Sequence, residues 1–286
     1  MSAPASSAAA IVAAVDRPQI LMRKGGLTAF MTGKRLPCLA RPVNFGDVPK
    51  LGQLDRSCRL CDGQKMKLSP LSVDPQDAPW DADFCEKFAQ LLAWRRDVRH
   101  FRGDPVPPAL LTQLIELACL SPSVGNAQPW RFVLVEAPAR RAAIIANFEA
   151  CNADALAACE PARQESYAAL KLAGLREAPV HLAVFCEEAP EDGHGLGRQT
   201  MPEMLRYSVV CAVHALWLAA RCQGLGVGWV SILDPQRVGA TLERPDSQIL
   251  VAYLCIGWPM DDHLTPELQR RGWQHRHPTQ RFLTRL

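Results

Sequence analysis

The spacing of apolar residues after position 80 changes repeatedly from a helical period to short uninterrupted runs. A helix is predicted from Asp81 or Asp83 to about Val98, because apolar residues recur on one stripe and an aspartate can cap the free amides of the first turn. That stripe consists of Phe84, Phe88, Leu91 and Leu92. A second helix is predicted to begin at Pro108 and to end at Ser121-Pro122.

Several short apolar runs predict buried strands. The run 179–186 hardly alternates with polar residues, which indicates burial on both faces of a sheet. Similar strands are predicted at 130–135, 226–233 and 249–256. The Ala-rich stretch 140–176 predicts two helices with a break near Pro161, so helices and strands alternate along the chain and an α+β fold is expected.

The longest apolar segment predicts a helix that ends near Cys222. Thr200 and Glu203 stand at capping-box spacing with Pro202 between them, and Gly224 can close the far end. Because the segment is apolar on nearly all sides, we expect it to be a buried central helix.

Composition divides the chain near residue 75. Overall, 48% of the 286 residues are hydrophobic and 21% are charged, as in globular proteins. Residues 1–75 carry 11 Lys+Arg and 5 Asp+Glu, whereas the remainder carries 21 and 24. We therefore expect a basic, poorly ordered arm at 1–75 and one folded domain at 76–286. The weakly acidic domain is not expected to bind nucleic acid.

The 11 cysteines are scattered, many of them in apolar runs, which favours a reducing compartment without a disulfide framework. The start of the chain has no basic n-region, and the strongly apolar run 207–220 is too short to span a bilayer. The cytoplasm is the expected location. Cys58 and Cys61, with Cys38 upstream, suggest a zinc site only weakly because a matching second pair is missing.

An arginine-rich run at the end of the first predicted helix is the strongest candidate for chemistry. In a helix, Arg95 and Arg99 would share one face, and two guanidinium groups so placed can grip a phosphate. The alternative is a solvated helix end whose cations complement the helix dipole.

A second candidate lies where glycines cluster between residues 224 and 228. A Rossmann fingerprint is excluded, because these glycines follow a helix and enter a strand. They would allow backbone amides to approach a flat ligand, and the hydroxyl of Ser231 could face that ligand. A crowded strand with a surface serine is the alternative.

Taken together, three separated motifs resemble the nitroreductase-like flavoproteins. They are Arg-Arg-Asp-Val-Arg at 95–99, Ser-Pro-Ser-Val-Gly through Gln-Pro-Trp-Arg-Phe at 121–132, and Gly-Leu-Gly-Val-Gly-Trp-Val-Ser-Ile-Leu-Asp-Pro at 224–235. Within that superfamily, segments 121–132, 193–203, 207–220 and 228–235 are most similar to the 5,6-dimethylbenzimidazole synthase family. The resemblance extends over about residues 80–280.

The resemblance implies a three-layer α+β fold, with a mixed, mostly antiparallel sheet between helices, and FMN held between two protomers of a homodimer. The flavin contacts that it implies are Arg95, Arg96, Asp97, Val98, Arg99, Ser123, Gly125, Leu170, Ser231 and Arg276. The arginines would hold the phosphate and the ribityl chain, and Leu170, expected on a helix, would form part of the flavin wall. Asn126 and Ala127 stand where the synthases are expected to have Leu and Met.

The resemblance also implies an activity, in which reduced FMN is the substrate and dioxygen the co-substrate. 5,6-Dimethylbenzimidazole and erythrose 4-phosphate would be the products, and a separate NAD(P)H-dependent reductase would supply the reduced flavin. Asp97 is the candidate base, expected to be ionised by its flanking arginines, and Ser231 a candidate hydrogen-bond partner of the flavin. The alternatives are an NAD(P)H-dependent nitroreductase or flavin reductase, and a non-enzymatic flavin- or zinc-binding module.

Overall fold

The computed structural model describes residues 80–286, so the arm predicted for 1–75 and the three cysteines of the weak zinc motif lie outside the described residues. The helices are α1 (Ala82–Trp94), α2 (Pro108–Ala118), α3 (Pro138–Ala158), α4 (Pro161–Ala168), α5 (Met204–Cys222), α6 (Pro235–Thr241) and α7 (Glu267–Arg270). The strands are β1 (Trp130–Leu134), β2 (Val180–Glu187), β3 (Gly226–Val230) and β4 (Gln248–Gly257). The α+β prediction is confirmed.

The four strands form one antiparallel sheet in the order β1-β2-β4-β3. Both central strands are largely buried, as the continuous apolar run in β2 predicted. The only parallel pairing within residues 80–286 is an isolated bridge between Asp97 and Val227. The sheet is therefore more regular than the mixed one that was expected.

Helices cover both faces of this sheet, which confirms the three-layer arrangement. Successive side chains of a strand point to opposite faces. Accordingly, Leu182 and Val184 join a cluster that includes α2 and α5, whereas Ala183 and Phe185 join a second cluster that includes α3 and α6. The sheet is thus a shared wall between two apolar cores.

Only one side of α5 is buried within the protomer. Its core side chains include Leu205, Val209, Ala212, Val213 and Leu216. On the opposite side, Tyr207, Val210, Cys211 and His214 form an exposed stripe with helical spacing. The predicted central helix is therefore confirmed, buried on its core side and exposed along the opposite side. No helix within the described range is long and apolar enough to cross a membrane.

The ends of two helices differ in part from the sequence predictions. Asp81 caps α1 as predicted, through a 2.8 Å hydrogen bond from the Phe84 amide. The predicted end at Val98 is wrong, because α1 ends at Trp94 and the following residues are extended. The predicted capping box of α5 is not formed, since Glu203 caps the helix without a side-chain hydrogen bond. Gly224 closes α5 with a φ of +76°, as predicted.

A buried histidine in β2 predicts acid sensitivity. His181 is fully buried, with Nδ1 3.0 Å from the hydroxyl of Tyr253, and burial together with the positive charge of Arg141 lowers its pKa to about 4. The unfolded chain therefore binds a proton below about pH 6.5 that the folded chain rejects. Stability should be unaffected above pH 6.5 and decrease as the pH falls towards 4, by about 2 kcal/mol between pH 7 and pH 5.

Urea unfolding at the two pH values measures this contribution. His181→Phe should unfold with a smaller pH dependence than the wild-type protein. His275→Phe, which removes an exposed histidine near the end of the chain, is the control and should keep the wild-type dependence. Equal pH dependence in His181→Phe and wild type would rule out His181 as the source.

Candidate functional site

The arginine-rich run lies alongside β3 as an extended segment. The amide of Val98 donates a hydrogen bond of 3.1 Å to the carbonyl of Val227. This pairing with the sheet replaces the last turn of the predicted helix. Arg95 and Arg99 therefore do not share a helix face, and the expectation built on their spacing is wrong.

The glycines of β3 make room for this segment. A Cβ on Gly226 would lie 2.7 Å from a methyl group of Val98, and one on Gly228 would lie 2.2 Å from the Val98 carbonyl oxygen. Only a residue without a side chain permits such a close approach. On this side of the strand the glycines therefore contact the chain's own backbone rather than the flat ligand that was expected.

Replacing Gly228 by Ala should destabilise the protein by about 1 to 3 kcal/mol, because the new methyl group collides with backbone that cannot rotate away. Gly239→Ala in α6 is a matched control, since a Cβ there would meet nothing within 4 Å. The control should be neutral or slightly stabilising. Urea unfolding of both variants tests the prediction, and equal stabilities would contradict it.

Asp97 is held by two hydrogen bonds. Its Oδ1 accepts from the Trp229 amide at 2.9 Å, and its Oδ2 accepts from Arg99 Nε at 2.8 Å. Burial nevertheless raises the pKa of Asp97, and the charge of Arg99 and the Trp229 amide only partly offset that effect. The expectation that neighbouring arginines dominate this carboxyl is therefore wrong, and Asp97 is more basic than an ordinary aspartate.

Arg99 joins the extended segment to the chain that follows α4. In addition to its hydrogen bond to Asp97, Arg99 donates a hydrogen bond from Nη1 to the carbonyl oxygen of Lys171 at 3.0 Å. Leu170 precedes that lysine and lies beyond the end of α4, not on a helix as expected. Leu170 therefore lies close to Arg99, because the next residue, Lys171, accepts the hydrogen bond from Arg99.

Arg95, Arg96 and Arg276 form the arginine cluster. The guanidinium carbon of Arg95 lies 4.7 Å above the ring centre of Trp217, and Arg96 Nε donates to the carbonyl of Leu264 at 2.6 Å. Burial lowers the pKa of both, that of Arg96 to about 10, and the positive charge of Arg276 lowers both further. Three cations that repel one another in this way form a site for an anion.

A cavity of about 180 Å³ opens next to the extended segment. Of the predicted site residues, Arg96, Asp97, Val98 and Arg99 line it, together with Trp217 and Arg221 of α5 and a wall from the chain around α7. The carboxyl with the raised pKa therefore lines the same cavity as Arg96 and Arg99.

The turn at Ser123 lies elsewhere along α5. The Val124 amide donates to Ser208 Oγ at 3.0 Å, and the Gln128 amide to Ser123 Oγ at 3.1 Å. Ser208 and Trp217 are nine residues apart, which in a helix is about 14 Å. Within one protomer, the structure therefore does not place this turn beside Arg95.

The loop that contains Gly193 and Leu196 packs against the turn at Ser123. Gly125 has a φ of +58°, and a Cβ on it would lie 2.9 Å from the carbonyl oxygen of Leu196. A Cβ on Gly193 would lie 2.9 Å from Cβ of the buried Ala127. Small residues on both sides allow this contact, and Asn126 adopts a positive φ of 55° that asparagine tolerates well.

Ser231 follows the last residue of β3 and is exposed. It comes two residues after Trp229, whose amide binds Asp97. The structure thus places the serine in the same stretch of chain as the Asp97 contact, but it does not line the cavity around that carboxyl.

Three contacts of the site could not be found in the sequence. They involve the ring of Trp217 and the backbone carbonyls of Lys171 and Leu264. Trp217 follows the apolar pattern of α5 and so resembles a core residue, and backbone carbonyls have no sequence signal.

Comparisons with known proteins point to one family. The family model described as the Nitroreductase family matches residues 92–258, a range that includes every predicted flavin contact except Arg276. A 5,6-dimethylbenzimidazole synthase from Rhodospirillum rubrum is 59% identical over 199 residues, or 70% of this chain and 94% of that protein. A protein of the same name from Rhodobacter capsulatus is 48% identical over 195 residues, or 68% and 94% of the two chains.

Solved structures are similar over the same region. An iodotyrosine deiodinase bound to FMN and 3-iodo-L-tyrosine has a TM-score of 0.53 and 28% identity, over 61% of this chain and 91% of the deiodinase. A BluB-like flavoprotein from Clostridium difficile has a TM-score of 0.54 and 19% identity, over 70% of this chain and 98% of its own. The second likeness supports the fold alone.

Proposed function

Because the chain belongs to the nitroreductase family and groups there with the 5,6-dimethylbenzimidazole synthases, we propose that it fragments reduced FMN with dioxygen. The products include 5,6-dimethylbenzimidazole and erythrose 4-phosphate, and the remaining atoms of the flavin, from its pyrimidine ring, leave as a separate fragment. The observation that carries this proposal is the arginine cluster beside a carboxyl whose pKa is raised. The arginine cluster can bind the phosphate of FMN, and the Asp97 carboxyl can remove a proton from the ribityl chain.

The arginine cluster fits the phosphate of FMN. A phosphate dianion would offset the burial and the repulsion that together lower the pKa values of Arg95 and Arg96, and a guanidinium group can bind two phosphate oxygens at once. Stacking on Trp217 and the hydrogen bond to Leu264 hold two of the three side chains in place before any ligand arrives. Little side-chain entropy would then be lost on binding.

Asp97 is the proposed base. Reduced FMN, when bound, supplies both the reaction with dioxygen and the ring system that is broken. Asp97 accepts a proton, and its raised pKa makes it a better base than an exposed aspartate. The hydrogen bonds from Trp229 and Arg99 fix the carboxylate plane, so that its remaining lone pairs have a defined direction.

Product analysis tests the proposal directly. Chemically reduced FMN is mixed with the protein without oxygen, air is admitted, and 5,6-dimethylbenzimidazole is measured by mass spectrometry. We expect product only when protein, reduced FMN and air are all present. Steady oxidation of NAD(P)H without this product would instead support a nitroreductase or flavin reductase. In the proposed reaction a separate reductase supplies the reduced flavin.

A homodimer would complete the flavin site. The turn at Ser123 and the arginine cluster are associated with points of α5 about 14 Å apart, so one chain alone does not surround a ligand with both. The exposed stripe of α5 offers an apolar contact surface, and α1 exposes Phe84, Phe88 and Leu92. A two-fold pairing through these surfaces would let the turn of one protomer face the arginines of the other.

A charge in the stripe should break this dimer. Val210 is 39% exposed, and Val210→Glu should give a monomer in analytical ultracentrifugation and weaken FMN binding at least tenfold, because each glutamate would be buried beside its symmetry mate. Leu134→Glu, at a position 41% exposed on the edge strand β1, is the matched control and should remain dimeric. A dimeric Val210→Glu variant with normal FMN affinity would exclude this interface.

A further inference from the structure

The last segment of the chain is attached to the domain through one aromatic side chain. Within residues 271–286, Trp273 is the only residue that is not exposed. Its amide donates to the Leu268 carbonyl at 2.8 Å, which folds the chain back directly after α7. Beyond Trp273, the side-chain hydrogen bonds stay within the tail, such as those between Arg281 and His277.

The indole ring of Trp273 packs against two side chains of α4. The guanidinium carbon of Arg163 lies 5.6 Å from the centre of the indole ring, and the ring of Tyr167 meets it edge-on at 6.1 Å. The hydroxyl of Tyr167 is in turn fixed to Asn152 Oδ1 of α3 at 2.9 Å. Cation–π and edge-to-face contacts of this kind favour one position of the ring.

Arg276 follows Trp273 by three residues. The chain directly before this segment, at Arg270 and Arg271, lines the cavity beside Arg96, and the charge of Arg276 acts on Arg95 and Arg96. In the described part of the chain, no carboxylate pairs with Arg276. An exposed arginine repelled by two others would leave their neighbourhood unless the backbone held it there. The contact of the Trp273 ring with α4, three residues before Arg276, can hold the backbone in this way.

We propose that Trp273 is a positioning residue, which holds Arg276 at the arginine cluster so that all three guanidinium groups can bind the phosphate of FMN. This inference rests on the proposed flavin function. The same helical hairpin also supports the other side of the site, because Lys171, three residues past α4, accepts the hydrogen bond from Arg99. The hairpin of α3 and α4 thus sets the positions of two basic residues that are far apart in sequence.

Titration of the full-length protein with oxidised FMN, followed by quenching of flavin fluorescence, tests the proposal. Arg276→Ala should weaken binding about tenfold and reduce its dependence on salt, since one ionic contact is lost. Trp273→Ala should cause the same loss and the same change in salt dependence, although it removes no charge. Trp273→Phe, which keeps an aromatic ring between Arg163 and Tyr167, should recover most of the affinity.

The double variant distinguishes a shared role from two separate ones. If Trp273 acts through Arg276, Trp273→Ala/Arg276→Ala should bind no more weakly than Arg276→Ala, whereas independent effects would multiply to about a hundredfold. Phe282→Ala is the control, because that exposed ring lies against His277 of the same segment, and it should bind FMN normally. A hundredfold loss in the double variant, or wild-type affinity and salt dependence in Trp273→Ala, would overturn the inference.

The result for Arg276→Ala alone separates this inference from the proposed function. Unchanged FMN affinity in that variant would remove Arg276 from the phosphate site and overturn this inference, whereas the proposed function would still be decided by product formation. Weakened binding in Arg276→Ala with normal binding in Trp273→Ala would leave the proposed function intact and reject only the role of Trp273.

Discussion

Asp97→Asn is expected to bind FMN within a few-fold of the wild-type affinity and to form 5,6-dimethylbenzimidazole at least a hundredfold more slowly. Asparagine keeps the size of the side chain and can still accept the hydrogen bond from the Trp229 amide, so the extended segment should remain in place. It cannot take up a proton. General-base catalysis typically contributes a factor of about 10² to 10⁴, which sets the expected loss.

The pH dependence provides a second measurement of the same role. Since burial raises the pKa of Asp97, the carboxylate becomes protonated at a higher pH than an ordinary aspartate. The rate of product formation should therefore fall as the pH decreases through this raised pKa, while the ionised form above it is active. In Asp97→Asn the small residual rate should lack this acid limb.

Asp104→Asn is the matched control for both measurements. Asp104 is an exposed carboxylate that pairs with Arg102, seven residues along the chain from Asp97. Its replacement should change neither the rate nor the pH profile. A thermal unfolding scan of Asp97→Asn is also needed, because the new amide group points a donor at Arg99 Nε. Full turnover by Asp97→Asn would remove the base assignment.

Arg95→Ala should weaken FMN binding by about 1.5 to 3 kcal/mol, or roughly 10-fold to 150-fold, the usual range for hydrogen bonds to a charged group. The guanidinium of Arg95 is preorganised by stacking on Trp217, so little ordering is needed on binding. Arg95→Lys should recover only part of the affinity, because an ammonium group keeps the charge but cannot form the planar fork.

Isothermal titration with FMN and with riboflavin measures this effect and assigns it to the phosphate. Riboflavin lacks the phosphate, so its affinity should be nearly the same for the wild type and Arg95→Ala. Arg102→Ala, at an exposed arginine that is already paired with Asp104, is the control and should bind FMN normally. An equal loss for both ligands would place Arg95 at the ring or ribityl chain instead.

The sequence predicted features that depend on neighbouring residues better than features that depend on contacts between distant parts of the chain. The burial of β2 on both faces was predicted from one apolar run, because a strand between two helical layers needs apolar residues at every position. The cap at Asp81 and the turn at Gly224 were also predicted, since both depend on a few neighbouring residues. The extent of α1 was not, because its end is decided by pairing with β3, more than a hundred residues away.

The sequence supplied candidate residues but not their environments. Arg95, Arg96 and Asp97 were selected as a motif, but the predicted helix face and the expected direction of the pKa shift of Asp97 were both wrong. The charges of nearby arginines can be read from the sequence, whereas desolvation cannot. Burial proved the larger effect on the pKa of Asp97, so its direction was reversed.

By itself, the sequence determined the α+β architecture, the family and the residue types of the candidate site, because each depends on periodicity or on a local motif. Only the tertiary structure decided that Asp97 and Val98 run along β3 against its glycines, and that the charge of Arg276 acts on Arg95 and Arg96. The physical reason is that close packing and the summed electrostatics of buried groups are set by the whole fold. Local sequence can supply the charges, but the fold determines which of them come together.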